Sequence, residues 1–155
     1  MDTPTDDPDR NIKNLFFCGS MALLCALVNT VGIAMMIGST DIVSLMTVSL
    51  VFIAPLIEEY MKRIAVVRGM PWMFLLVFCG VETMFLAEGT GIPGLVMRII
   101  PCMMHAVTMA IQWQAYRYSM ETKSPMASVL GFLGAFLIHA IYNATVVLAM
   151  VQMLG

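Results

Sequence analysis

Along the chain, apolar runs of membrane-crossing length alternate with short polar interruptions. The first runs from about Leu15 to Ile37 and stops at Gly38-Ser39-Thr40-Asp41. A second covers Ile42 to Val67 and closes in Arg68-Gly69, just ahead of Pro71. The third, Pro71 to Ala87, meets Glu88 and the turn-forming Gly89-Thr90-Gly91-Ile92-Pro93-Gly94. The fourth spans Leu95 to Tyr118, and after the polar loop Ser119 to Pro125 a fifth extends from Met126 to Leu154. A helix needs about 20 predominantly apolar residues to cross a bilayer. The pattern therefore predicts an all-α integral membrane protein with about five transmembrane helices, forming one domain over residues 15–155. Residues 1–14, acidic and Pro-bearing, read as a disordered cytosolic tail. They lack the short apolar core and small-residue site of a cleavable signal peptide.

Composition agrees with the pattern. The 155 residues are 60% hydrophobic and 12% charged, against about 45–50% and 25% in soluble domains. That excludes an ordinary soluble enzyme and a disordered chain. The net charge of −2 offers nucleic acid no basic surface. Cys18, Cys25, Cys79 and Cys102 are scattered singly within apolar runs, without metal-binding spacing, and read as small hydrophobes. The 17 methionines read as packing filler.

Basic residues orient the spans, because Lys and Arg concentrate in short cytoplasmic loops. Arg10 and Lys13 precede the first span, Lys62, Arg63 and Arg68 close the second, and Arg117 and Lys123 flank the last loop. With five spans these groups share one side, leaving only Arg98 opposite. The N-terminus is therefore expected in the cytosol and the C-terminus outside, most simply in a plasma (cytoplasmic) membrane.

Ionisable groups inside a span are costly and mark function by default. Here they are Glu58 and Glu59 on the second segment, Glu82 on the third, Arg98 and His105 on the fourth, and His139 on the fifth. At a helical rise of ~1.5 Å per residue, Glu58 lies ~15 Å from Arg68 and Glu82 ~16 Å from Pro71. His105 lies ~18 Å from Arg117 and His139 ~21 Å from Pro125. Four groups from four spans at similar depth predict a shared polar cavity near the middle of the membrane. Ala127, Gly131, Ala135, His139 and Asn143 form one i, i+4 stripe, whose small residues allow close helix approach. Arg98, His105 and Gln112 recur every seven residues, with Thr108 beside them. Pro101 can kink that helix.

Each piece also has a plain reading. Glu58–Lys62 and Glu59–Arg63 are i, i+4 pairs in the favourable order for helix salt bridges. A lone membrane histidine can simply bond between helices, and Arg98 can snorkel outward or pair with Glu88. The combination carries the functional argument. Two histidines and a carboxylate fit a zinc site with an open position for water. Equally, a buried carboxylate can act as general base without metal while His and Asn stabilise an oxyanion. Both routes activate water against a carbonyl, and spacing leaves them open.

Glu58-Glu59-Tyr60-Met61-Lys62-Arg63 reads as both EExxK and EExxxR, and His139-Ala140-Ile141-Tyr142-Asn143 as HxxxN. Between them, Arg98 to Ala106 centres on His105. This order, over Pro55 to Asn143, resembles the PrsW family and the related CAAX-protease and bacteriocin-processing (CPBP) family of intramembrane proteases. Gly80-Val81-Glu82 is similar to the family's Gly-rich helix with its Glu, but Thr83 stands where an Asn usually follows, and Glu88 is an alternative match. The resemblance implies hydrolysis of a peptide bond in a membrane-embedded or membrane-associated protein. Glu58 would be the catalytic glutamate, with Glu59 supporting it or exchanging roles. His105 and His139 would be metal ligands or oxyanion stabilisers, and Asn143 would polarise the scissile carbonyl. Lys62 and Arg63 would support them. Glu58, His105 and His139, with Glu82 as a further candidate, would bind Zn2+ in the metal alternative; the glutamate alternative needs no cofactor. Five spans are fewer than better-known members carry, which fits a minimal enzyme, a homo-oligomer completing its own cavity, or a relative without activity. Two other classes compete: a non-catalytic scaffold or immunity-like protein of the same superfamily, and a proton or ion carrier.

Overall fold

A computed structural model describes residues 8–36, 44–45, 47–86 and 92–154. Asp41 and Glu88 lie outside the described residues. Helix α1 covers Pro8–Met36, a π-helical segment Thr47–Ile53 leads into α2 at Ala54–Val67, and α3 covers Pro71–Leu86. Two long helices follow, α4 at Ile92–Thr122 and α5 at Pro125–Leu154. The chain is all-helical among the described residues. Two stretches, Asp9–Val28 and Pro125–Ala149, are long and apolar enough to cross a membrane, and Pro71–Met84 is a shorter apolar helix. Of the other helices, α2 has only 14 residues and holds Glu58, Glu59, Lys62 and Arg63 among them, and α4 is diluted by polar residues such as His105, Thr108, Gln112 and Gln114. Among the described residues, therefore, two stretches and not the expected five reach that length and apolarity.

Four boundaries differ from the sequence expectation, one being the start of α4 at Ile92, inside the turn expected to run to Gly94, where Pro93 suits the first helical turn. Helix α1 starts at Pro8, so residues 8–14 are helical where a disordered tail was expected. Pro is preorganised for a first helical turn, and Asp9 complements the positive end of the helix dipole. The expected second segment changes helix type at Ile53, whose dihedrals stay helical (φ −71, ψ −50). Helix α4 runs on to Thr122, where a loop from Ser119 was expected. There the Thr122 hydroxyl donates to the Tyr118 carbonyl at 2.8 Å.

The turns are short and chemically specified. After α2, Gly69 adopts φ +74, Gly69 N–H donates to Val66 O at 3.0 Å and Met70 N–H to Ala65 O at 2.8 Å. This is a Schellman ending, with Gly in the left-handed position and Pro71 opening the next helix. After α4, Lys123 (φ 54) plays the same part, and Ser124 N–H reaches Ser119 O at 3.2 Å.

Helix α2 is the centre of the molecule, in contact with α1, the π segment, α3, α4 and α5. Helix α1 packs mainly on α3, where Cys18, Met21, Ala22 and Cys25 join Phe74 and Phe78 in the core. Helices α4 and α5 pack closely because Gly131 has no Cβ: one added there would collide with Ala115. The buried face of α2 is Ala54, Pro55, Glu58, Glu59, Lys62, Ala65 and Val66. Its exposed face carries Leu56, Tyr60 and Val67. Charge inside and hydrocarbon outside invert the pattern of a soluble protein.

Candidate functional site

The site grows from the buried face of α2. Glu59 and Lys62, one turn apart, form an ion pair at 2.5 Å with no exposed side-chain surface. Buried charges persist only when their hydrogen-bonding capacity is met. Here α4 and α5 meet it. Gln112 Nε2 donates to Glu59 Oε2 at 2.7 Å and to the Glu59 carbonyl at 3.2 Å. Glu59 Oε1 faces His139 Nδ1 at 2.8 Å and Thr108 Oγ1 at 3.2 Å. Lys62 Nζ also donates to Thr108 Oγ1 at 2.8 Å and lies 2.9 Å from His105 Nδ1. The pairing thus differs from the i, i+4 expectation: Lys62 bonds Glu59, and Arg63 turns away, its guanidinium 5.5 Å above the Tyr116 ring. Lys62 is the basic residue of the motif that reaches the site, because positions 59 and 62 share the inner face while 63 sits at the flank.

In front of this network lies a cavity of about 220 Å³. Glu58, Glu82, Arg98, His105, His139 and Asn143 line it together with apolar residues such as Leu50 and Val147. His105 Nε2 stands 3.1 Å from Glu82 Oε2, and His139 Nε2 is 3.6 Å from Glu58 Oε2. The two imidazoles meet edge to face with centroids 5.0 Å apart, and Phe78 packs against His105 in the same way at 4.9 Å. Glu58, His105 and His139 each bring one ligand atom to within 4.8 Å of the others, a spacing that could hold a metal ion. The four ionisable groups expected at one depth therefore share one cavity. Glu82 takes its place there beside His105, whereas Glu88 lies outside the described residues.

Asn143 lines the cavity but spends one amide proton elsewhere: its Nδ2 donates to the Leu50 carbonyl at 2.7 Å. The reason is Pro55. A carbonyl at position 50 bonds the N–H of residue 54 in an α-helix and of residue 55 in a π-helix. In the π register that partner is a proline, which has no N–H. That register offers the Leu50 carbonyl no backbone N–H, and Asn143 Nδ2 supplies a donor. One N–H of its amide remains for the cavity.

Sequence reasoning missed two features. The direct Lys62–His105 contact joins residues 43 apart, which no local pattern reveals. The π segment had a signal in Pro55, whose ring crowds the carbonyl four residues back and widens the helix. No family model, curated protein or solved structure matches the chain.

Proposed function

We propose that the protein is an intramembrane endopeptidase that hydrolyses a peptide bond in a membrane-embedded or membrane-associated protein substrate. One observation carries the reading: the buried side chains of Glu58, His105 and His139, from three helices, converge within 4.8 Å on the wall of a half-open cavity. The surface supports membrane embedding. Large apolar side chains are exposed on every helix, among them Phe16 (79%), Leu76 (76%) and Met84 (83%). So much exposed hydrocarbon marks a surface that meets lipid or partner protein. All five helices would cross the bilayer, with the basic turns in the cytosol and the C-terminus outside.

In this mechanism the Glu58 carboxylate takes a proton from a water held between it and His139. The water oxygen attacks the scissile carbonyl, and polar N–H groups of the cavity stabilise the resulting oxyanion. Glu58 then passes its proton to the leaving nitrogen as the C–N bond breaks. Glu59 orients His139 through Nδ1 and does not face the cavity. Were Zn2+ bound, Glu58, His105 and His139 would hold it, and it would supply Lewis-acid activation of the water.

The test is cleavage of single-span reporter proteins by purified protein in lipid nanodiscs. Glu58→Gln should abolish cleavage while the melting temperature stays near that of wild type. Equal cleavage by both proteins rejects Glu58 as the base. The satisfied Glu59–Lys62 network favours one second reading, a non-catalytic scaffold, because those groups are spent on one another. Under that reading no reporter is cut, and Glu58→Gln lowers stability or assembly instead.

A further inference from the structure

The cavity's polar wall is set from behind by the buried ion pair. A lysine ammonium has three donors and no acceptor. Lys62 directs its three at Glu59 Oε1 (2.5 Å), Thr108 Oγ1 (2.8 Å) and His105 Nδ1 (2.9 Å). An atom facing a donor must accept, so His105 Nδ1 carries the lone pair and its ring proton sits on Nε2. The opposite edge of the ring lies 3.1 Å from Glu82 Oε2, without the alignment of a hydrogen bond, so the Lys62 contact alone carries the assignment. His139 is set in reverse. Its Nδ1 faces Glu59 Oε1, an acceptor, at 2.8 Å, so Nδ1 holds the proton; Nε2, 3.6 Å from Glu58 Oε2 and beyond hydrogen-bond distance of it, leaves the lone pair of the neutral ring to the cavity.

We infer that Lys62 is a positioning residue which, with Glu59, locks the two histidines in opposite tautomers, so that the cavity receives an N–H from His105 and a lone pair from His139. Within the hydrolytic reading above, on which this use of the tautomers rests, His105 is the oxyanion donor and His139 helps hold the water. The lock also bears on metal. A ligating histidine gives the ion one nitrogen and donates its other N–H to an acceptor behind it. His139 has that arrangement, with Glu59 behind it. His105 has a donor behind it, so it can join Glu58 and His139 around an ion only if Lys62 releases Nδ1. Lys62 therefore weakens metal binding.

The experiment is nitrogen NMR of the full chain in detergent, labelled on its histidine rings. With only two histidines in the sequence, His139→Gln assigns both. Wild type should show His105 protonated on Nε2 and His139 on Nδ1. Lys62→Met should move the His105 proton to Nδ1 and raise affinity for Zn2+ alone by roughly ten-fold or more. Lys62→Arg, which keeps a donor, should retain the wild-type tautomers. A wild-type spectrum with both histidines in one tautomer overturns the inference, and so does Lys62→Met that leaves the His105 nitrogens and zinc affinity unchanged. Should Lys62→Met fail to fold, the wild-type spectrum decides alone. Cleavage plays no part in these measurements, so the protease reading and the tautomer lock fail separately.

Discussion

Glu58 and Glu59 are chemically identical neighbours with different work, and the difference comes from geometry. Successive helical residues point about 100° apart. Glu59 therefore meets Lys62, Thr108, Gln112 and His139, while Glu58 lines the cavity. Breaking a buried ion pair on one side strands the other charge, which costs about 3–5 kcal/mol. Glu59→Gln and Lys62→Met should each destabilise by about that amount in denaturant titrations of the micellar protein. The double variant should lose less than the two singles combined, by about 1–3 kcal/mol. Strict additivity would mean that the pair is not energetically coupled.

At the scale of elements, the π segment and α5 are joined by a single side chain. Asn143→Ala leaves the part-buried Leu50 carbonyl without its donor, at a cost of about 1 kcal/mol, the low end of the range for an unsatisfied acceptor. Pro55→Ala restores a backbone N–H at the position the π register needs. Asn143→Ala should therefore cost less in the Pro55→Ala background than in wild type, measured by the same titration. An equal cost in both backgrounds would separate Pro55 from the Leu50 carbonyl. The i, i+4 stripe on α5 was legible in the sequence, since it needs only helical periodicity. It includes Gly131 against Ala115, the buried Ala135 and His139. The π register was less legible: it depends on a proline and on an acceptor met by a residue 93 positions away.

At the scale of the molecule, α2 is turned inside out, with Glu58, Glu59 and Lys62 within and Leu56, Tyr60 and Val67 exposed. Such a helix is favourable where the surroundings are as apolar as its outer face. The turns carry the topological information. Arg68 lies 4.1 Å from the Phe17 ring centroid, which puts the α2–α3 turn beside the first half of α1. Single cysteines placed at Pro8 and at Lys123, in a background without Cys18, Cys25, Cys79 and Cys102, should be shielded from a membrane-impermeant thiol reagent in intact cells. One placed at Gly155 should react. Labelling of Pro8 and Gly155 from the same side would reject five crossings.

By itself the sequence determined the helical architecture, the ends of α3 and α5 to within a residue or two, and which ionisable groups meet in one cavity. These follow from local quantities: hydropathy, helical rise, and the backbone limits of Gly and Pro. Only the tertiary structure decided which partners those groups take. Lys62 instead of Arg63 reaches the site, Glu59 is enclosed while Glu58 lines the cavity, and Asn143 caps the Leu50 carbonyl. The physical reason is that hydrogen-bond partners are settled by how helices are rotated against one another. That rotation follows from the packing of five helices at once, which no stretch of the chain encodes locally.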